Sequence, residues 1–423
     1  MSAVTEPTDP HSNFGIDTAQ RSLGDVVRDT VARYRSGDLG SLPAILAIAA
    51  LVGVFWWARP NTFMSVGNFA NFLEQASAVT VIAMAVTFVL LLGEIDLSAG
   101  FTAGIAAAVL ATRLQHWALV PSVLMAAAVA VVLGTFTGFM VARVGIPSFV
   151  VTLANFLSFQ GILLLLVKDG GSVRITNAPV RDLVGAQLQP TWSWVIAITA
   201  LVIYALSLWM RQRSSHGSIP ASLTLLKLGG AIVAICAMTF VLNKNRAFAN
   251  ATKEIRGMPY LVPIVVALAL VLTFVLTRTR FGRHLYAVGG NPEAARRAGI
   301  NVARVRLAAF TITGFVAGLG GAFLASRVNA VDANTGANDT LLLAVGAAVI
   351  GGTSLFGGRG RVINAVLGGF VLALIPNGLG LIGKESVFGR EVDFSSSGVK
   401  FICAGLALLL AASVDALSRK RSA

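Results

Sequence analysis

Long apolar runs recur along almost the whole chain and set the strongest limit on its fold. A helix needs about 20 apolar residues to cross a bilayer. Because the runs are continuous and do not alternate with polar residues, they predict membrane helices and not the strands of a membrane barrel. We place spans at residues 42–58, 72–92, 97–112, 117–142, 148–167, 192–210, 222–242, 259–277, 305–325, 340–356, 362–383 and 398–417.

Composition agrees with this interpretation. Of the 423 residues, 56% are hydrophobic and 12% are charged, whereas about a quarter of the residues in soluble domains are charged. The chain is therefore expected to be an all-α polytopic membrane protein with about 10–12 transmembrane helices, some of them broken. The first 41 residues have no apolar core, so we expect no cleavable signal peptide.

The net charge of +14 is distributed between the apolar runs, which favours membrane topology over nucleic-acid binding as its cause. If both termini are cytoplasmic, about 20 of the 33 basic residues face the cytoplasm, as the positive-inside rule requires. We thus expect a transmembrane domain at 42–417 between cytoplasmic tails at 1–41 and 418–423. Apolar residues at helical spacing in the first tail are typical of a helix lying in the membrane interface, although a solvated tail stays open as an alternative.

A polar, basic segment, "HLYAVGGNPEAARRAGINVARVR" at 284–306, separates two apolar runs. Asn291 is a helix-capping residue and Pro292 suits the first helical position. Glu293 complements the positive end of the helix dipole, and Gly299 favours a left-handed end. The pattern predicts a two-turn helix at 292–298 with a small face for docking, formed by Ala294, Ala295 and Ala298. A capped loop helix without a partner stays open as an alternative.

Three motifs carry a resemblance to a known family. Along the chain, "GEIDLSAG" at 93–100, "TRFGRHLYAVGGNPEAARRAGINV" at 279–302 and "GGTSLFGGRGRV" at 351–362 resemble, in this order, motifs of the sugar-type permease subunits of ATP-binding-cassette importers. The segment at 211–248, from "RQRSSHGSIP" to "LNKNRAF", is similar to an added span of the xylose-type members. The resemblance implies a permease for a monosaccharide, with D-xylose or another pentose favoured.

The resemblance also implies partners and a coupling site. An ATPase subunit would carry ATP and Mg, an extracytoplasmic binding protein would deliver the sugar, and a second permease copy would complete a homodimer in the inner membrane. This chain would bind no cofactor and would catalyse no reaction. The residues implied to dock on the ATPase, in the coupling loop at 278–304, are Asn291, Pro292, Glu293, Ala294, Ala295 and Gly299.

Two glycine-rich elements share the pattern G-x-x-[DS]-L-x-x-G, at 93–100 and 351–358. They suggest equivalent points of an internal repeat. Our hypothesis is that both are breaks where glycine permits a tight turn and where Asp96 or Ser354 caps the next half-helix. A chance match within glycine-rich spans stays open as an alternative.

Residues expected to line a transport pathway come from two places. Carboxylates inside an apolar body are functional candidates because their desolvation is costly, although a position in water at the inner interface is an open alternative. In the fifth span, hydroxyl, amide and aromatic side chains offer the mixture that a sugar needs, although such polar residues more often bond to neighbouring helices. The candidates are Glu94, Asp96, Ser98, Thr152, Asn155, Phe156 and Phe159.

Other signals fail. "GLGLIGKE" at 378–385 nearly matches a phosphate-binding loop, but Glu385 occupies the position of the required hydroxyl. The four histidines show no metal-ligand spacing. No catalytic constellation is visible, which leaves a membrane enzyme unsupported. A secondary transporter driven by protons or sodium through Glu94 or Asp96 is the alternative function.

Overall fold

The computed structural model describes residues 40–168, 171–214, 220–247, 254–387 and 390–422, together with Gly24 and Arg28. The helices are α1 (Leu42–Ala58), α2 (Pro60–Phe63), α3 (Val66–Leu90), α4 (Ala99–Arg113), α5 (Leu119–Phe139), α6 (Ser148–Val167), α7 (Ala178–Gly185), α8 (Pro190–Ser214), α9 (Ala221–Leu242), α10 (Leu261–Arg278), α11 (Arg280–Gly290), α12 (Pro292–Arg297), α13 (Val302–Val328), α14 (Asn338–Ile350), α15 (Val362–Ile382) and α16 (Ser397–Ser422). The strands are β1 (Ser172–Arg174), β2 (Ala330–Asp332), β3 (Lys384–Val387) and β4 (Arg390–Asp393). A π-helical turn at Met140–Val144 follows α5.

Each of the predicted spans coincides with a helix, so the prediction of an all-α membrane protein is confirmed. Within the described residues, 8 helices are long and apolar enough to cross a membrane. The shorter apolar helices are Leu42–Ala58, Ala99–Arg113, Asp339–Ile350 and Ser397–Leu410. The predicted interfacial helix of the first tail lies outside the described residues. At the other terminus, α16 continues through 418, where a separate tail was expected.

The bundle has two distinct ends. The upper end carries both sheets: β1 pairs antiparallel with β2, and β3 pairs antiparallel with β4. The lower end carries α11 and α12, the segment that separates α10 from α13. Gly40, just before α1, packs against Gly352 at the lower end, and α16 returns from the upper hairpin. Both termini of the described chain therefore lie on the side of α11 and α12.

Helix α13 occupies the centre of the bundle and packs most extensively against α5, α3 and α4. Small residues permit the close approach of α5 and α13. A Cβ on Gly134 would lie 2.6 Å from the carbonyl oxygen of Phe310, and one on Gly314 would lie 2.6 Å from that of Ala130. Such small-residue crossings are the usual way in which membrane helices pack. The crossing fixes α13, and with it the segment that leads into it.

Two of the predicted spans form helices that are too short to cross a bilayer by themselves. Helix α4 has 15 residues and α14 has 13, fewer than the about 20 that a crossing needs. The loop between β2 and α14 descends into the bundle, where Gly336 lies against Gly100 in the first turn of α4. Helices α3 and α4 are joined by residues 91–98, which we call turn 1. Helices α14 and α15 are joined by residues 351–361, which we call turn 2.

Candidate coupling site and transport cavity

Helix α12 is short and capped at both ends. The Asn291 side chain accepts a hydrogen bond from the backbone N–H of Ala294, at 2.9 Å. At the other end, Gly299 has a φ of 81°, and the N–H of Ile300 donates to the carbonyl of Ala295 at 3.0 Å. This is a helix end closed by a left-handed residue. The predicted helix is confirmed, and it ends at Arg297, one residue earlier than expected.

The exposed face of α12 differs from the prediction at Ala295. Ala295 is only 4% exposed and faces the bundle, so it cannot belong to a free docking face. Ala294 and Ala298 are exposed, as are Asn291, Pro292, Glu293 and Gly299. Both arginines fold onto Glu293 at distances of 2.9 Å for Arg296 and 3.6 Å for Arg297. These exposed pairs contribute little to stability, but they place the basic groups beside the exposed alanines.

The N-cap of α12 supports a stability prediction. Replacing Asn291 by alanine is expected to destabilise α12 locally by about 1 kcal/mol, because the N–H of Ala294 loses its acceptor. Amide hydrogen exchange at Ala294 and Ala295 should speed up by about fivefold in detergent-solubilised protein. Asn291→Asp keeps the cap and is the control. Unchanged exchange in Asn291→Ala would contradict the importance of this cap.

Helix α11, turn 1 and turn 2 meet at a junction made almost entirely of backbone. The N–H of Gly358 in turn 2 donates to the carbonyl of Leu91 in turn 1, at 2.9 Å. Gly289, the penultimate residue of α11, lies against both segments, and a Cβ there would overlap the Leu91 carbonyl oxygen. Gly357 lies equally close to Gly289 and Gly93. We call this crossing the glycine junction; it lies at the end of α11, just before α12 in the chain.

The two turns begin in the same way. In turn 1, Gly93 has a φ of 74°, and the N–H of Glu94 donates to the carbonyl of Val89. In turn 2, Gly352 has a φ of 103°, and the N–H of Thr353 donates to the carbonyl of Ala348. Both are helix ends in which a left-handed glycine closes the last turn. The structural equivalent of Gly93 is therefore Gly352, one residue away from the Gly351 that the sequence pattern aligned.

The polar residue of each pattern closes its own turn. The Asp96 carboxylate accepts from the N–H and the hydroxyl of Ser98, at 2.9 and 2.7 Å. The Ser354 hydroxyl accepts from the N–H of Phe356, at 3.0 Å. The Asp96 carboxylate also accepts from the N–H of Ala99, the first residue of α4, as expected of a side chain that caps this half-helix, whereas the Ser354 hydrogen bond lies within turn 2. The internal repeat stays a hypothesis supported by this shared chemistry.

The carboxylates of turn 1 have different partners. Asp96 is 5% exposed and braces the turn through Ser98, which is 1% exposed. Glu94 pairs at 3.0 Å with Arg306 in the second turn of α13. Both acids are thus engaged by neighbours within the described structure, and these contacts brace turn 1.

The polar residues of α6 also contact neighbouring segments. The hydroxyl of Thr152 donates to the carbonyl of Ile95 in turn 1, at 3.2 Å. The Asn155 amide donates to the Thr137 hydroxyl of α5, at 2.9 Å. Phe156 forms an edge-on pair with Phe101 of α4, with ring centroids 4.8 Å apart. These are contacts between helices, the alternative that the sequence left open. Phe159 is buried beside them, at 3% exposure.

A cavity of about 850 Å³ lies elsewhere in the bundle. Its walls come from α1, α2, α3, α9, α10 and α15. The seven residues predicted to line the pathway are all described, and none of them lines this cavity. Four phenylalanines dominate its surface: Phe63, Phe69, Phe72 and Phe370. Its polar side chains are Asn68, Ser77, Thr80, Thr273 and Asn377.

The polar side chains of the cavity are sparsely placed. Asn68 and Asn377 exchange two amide hydrogen bonds, at 3.1 and 2.9 Å, across α3 and α15. The Thr80 hydroxyl is buried and has no hydrogen-bond partner within the described structure. Helices α3 and α15, which carry these groups, are also the helices attached to turn 1 and turn 2. The cavity and the glycine junction are thus linked by two continuous helices.

A second cavity, of about 290 Å³, opens beside α12. It lies between the π-helical turn after α5 and the start of α13, and Arg296 and Arg306 line it together with Asn301. Asn301 caps α13 by accepting from the N–H of Arg304 at 3.0 Å. Two guanidinium groups beside a helix N-terminus make this cavity attractive to a carboxylate.

Comparison with known proteins decides the family. The family model described as the permease component of the branched-chain amino acid transport system matches residues 68–412. The chain belongs to this permease family. The permease is 33% identical to the xylose transport system permease protein XylH of Escherichia coli (strain K12) over 393 residues, which are 92% of this chain and 94% of that protein.

Two further relatives agree with the assignment. The permease is 30% identical to the XylH protein of Haemophilus influenzae over 404 residues, covering 92% of this chain and 99% of that protein. It is 26% identical to the ribose import permease protein RbsC of the same organism over 350 residues, covering 82% and 87% of the two chains. No solved structure matches this chain.

Proposed function

We propose that this permease is the membrane subunit of an ATP-binding-cassette importer for a pentose, with D-xylose as the favoured substrate. The identity to two xylose permeases over 92% of the chain supports the sugar class. The observation that carries the mechanism is the position of α12, which is capped, exposed and mounted on a junction of both turns. The permease itself moves the sugar and performs no covalent chemistry.

The partners follow from this role. The ATPase, which holds ATP and Mg, binds the lower end, so the lower end faces the cytoplasm and both termini are cytoplasmic. A sugar-binding protein outside the cell delivers the pentose to the upper end. A second copy of the permease forms a homodimer within the lipid of the inner membrane. The basic segments at the lower end agree with this orientation.

The ATPase docks on the exposed face of α12. Ala294 and Ala298 lie one turn apart and leave the helix surface flat enough for close contact. Arg296, which lines the cavity beside α12, pairs with an acidic side chain of the ATPase. An apolar contact beside a charge-assisted pair gives both affinity and orientation.

The 850 Å³ cavity is the compartment that the sugar enters. Phenylalanine faces pack against the apolar face of a pentose ring, and the few amides and hydroxyls supply exchangeable hydrogen bonds. Weak binding suits a passage, because the sugar must leave it. Since α3 and α15 pack directly against each other as adjacent walls, displacing turn 1 against turn 2 changes the shape of the cavity. ATP then favours one state by binding the two states of the ATPase with different affinity.

Docking can be tested with one substitution on the exposed face. Ala294→Asp places a charge on α12 without filling any buried space. Ala287→Asp, at an exposed position of α11, is the matched control. Purified ATPase should bind membranes carrying Ala294→Asp at least about tenfold more weakly, a loss of about 1.4 kcal/mol, and ATP-driven xylose uptake should fall in parallel. Equal binding by wild type and Ala294→Asp would contradict docking at this face.

The alternative of an ion-gradient-driven transporter is not supported by the relatives, which are permease components of import systems. Nor does the site favour it. Glu94, one of the carboxylates that such a mechanism would use, forms an ion pair with Arg306. Asp96 is held by Ser98 within turn 1.

A further inference from the structure

Two side-chain contacts flank α12 and reach different turns. Before α12, the hydroxyl of Tyr286 in α11 donates to the carbonyl of Gly360 in turn 2, at 2.7 Å. After α12, the guanidinium of Arg306 in α13 pairs with the Glu94 carboxylate in turn 1, at 3.0 Å. Each end of the segment that carries α12 is therefore tied to one of the two turns.

We propose that Tyr286 and Arg306 are positioning residues that transmit movement of α12 to the two turns separately. The proposal rests on the proposed docking of the ATPase at α12. The glycine junction alone would move turn 1 and turn 2 together, because it holds both against Gly289. The Tyr286 and Arg306 contacts tie the two ends of the segment that carries α12 to different turns. A tilt of α12 would therefore displace turn 1 and turn 2 in opposite directions.

The environment of each contact suits this role. Tyr286 is partly buried, and burial raises the pKa of its phenol above the usual value of 10.0, with Arg361 opposing the shift. The phenol therefore stays a hydrogen-bond donor at neutral pH. The Glu94 side chain is 14% exposed and the Arg306 side chain 30%, so their pair is largely shielded from solvent. Arg306 also lines the cavity beside α12, which places it between the ATPase and turn 1.

The turns lead directly to the transport cavity. Turn 1 is continuous with α3 and turn 2 with α15, and these helices contribute Phe72 and Phe370, whose rings meet edge-on with centroids 5.5 Å apart. Opposite displacement of the turns would separate this ring pair. Tyr286 and Arg306 thereby connect ATPase docking to the width of the cavity.

The test uses the assembled importer with its ATPase and binding protein. Glu94→Arg and Arg306→Glu should each lower ATP-driven xylose uptake by at least about tenfold, and the double variant, which restores an opposite-charge pair, should recover most of it. Tyr286→Phe removes only the hydroxyl and should lower uptake by about five- to tenfold. ATPase binding to the permease should be unchanged in Glu94→Arg and Tyr286→Phe, which separates them from Ala294→Asp.

Sugar transported per ATP hydrolysed is the decisive readout, because a purely structural role would lower the amount of folded protein and leave this ratio constant. A reduced ratio in Tyr286→Phe and in the single charge variants, with recovery in the double variant, supports the proposal. An unchanged ratio in these variants would overturn it, as would release of the ATPase by Tyr286→Phe. If either result overturns this proposal, loss of ATPase binding in Ala294→Asp would still support the proposed docking of the ATPase on α12.

Discussion

Replacing Gly289 by alanine is expected to lower sugar uptake by about tenfold or more while the protein still inserts into the membrane. The added Cβ would overlap the carbonyl oxygen of Leu91, a backbone atom that cannot rotate away as the end of a side chain can. Forced overpacking of this kind costs about 1–3 kcal/mol, enough for a loss of about tenfold or more in a conformational equilibrium. The strain falls on the junction that joins α11 to both turns.

Gly290 provides a matched control for this prediction. It is the next residue, it lies in the same helix, and an added Cβ there would meet no described atom within 4 Å. Gly290→Ala should therefore transport like the wild type. The measurement is ATP-driven uptake of labelled xylose in vesicles with equal amounts of inserted permease. If Gly289→Ala transports as well as Gly290→Ala, the close contact at the glycine junction has no part in coupling.

Filling the cavity is expected to have a similarly large effect by a different route. Ala269 of α10 lines the 850 Å³ cavity, so Ala269→Trp would place an indole where the sugar is expected to pass. Uptake should fall by at least about tenfold, while ATPase binding stays unchanged because α12 is untouched. The ATPase in complex with Ala269→Trp should continue to hydrolyse ATP in response to the sugar-loaded binding protein.

Ala267→Trp is the control for the cavity variant. Ala267 lies on the same helix, is exposed and does not line the cavity within the described structure. The substitution adds the same volume on a surface that faces lipid. Normal uptake is expected for Ala267→Trp. Normal uptake by Ala269→Trp as well would show that the sugar passes through another part of the permease.

Sequence reasoning predicted local structure well where local forces determine it. The span positions follow from apolar length, and the caps of α12 follow from Asn291, Pro292 and Gly299, whose preferences act within a few residues. The same reasoning found both glycine-rich turns. It placed the left-handed glycine of turn 2 one residue early, because Gly351 and Gly352 are adjacent and only the geometry of the helix end distinguishes them.

Contacts between segments that are distant in the chain could not be predicted from the sequence. Ala295 was assigned to the docking face because its neighbours are also alanines, but its burial depends on where α11 and α13 enter. Thr152 and Asn155 were expected to line a pathway, and their hydrogen-bond partners, Ile95 and Thr137, lie in other segments. Gly289 could have been noticed as the first of two adjacent glycines at a helix end. Its contact with Leu91 has no signature in sequence spacing.

The residues that line the 850 Å³ cavity could not be predicted from the sequence either. Its lining comes from three stretches of chain, at 48–80, 234–273 and 363–377, that lie far apart in the sequence, and most of its residues are apolar, as they are in any membrane span. Among the cavity's polar residues, Asn68 and Asn377 stand out as amides within apolar helices, and their mutual hydrogen bonds join two residues that are 309 positions apart in sequence. A single sequence contains no information that pairs them.

The most direct test of the central claim is uptake of labelled D-xylose into membrane vesicles of known orientation. The vesicles contain the permease, its ATPase and its binding protein, and ionophores abolish the proton and sodium gradients. The account predicts uptake that requires ATP and both partners, that persists with the ionophores and that is lost in Ala294→Asp. Uptake by the permease alone that collapses with the ionophores would contradict the account and would establish a gradient-driven transporter.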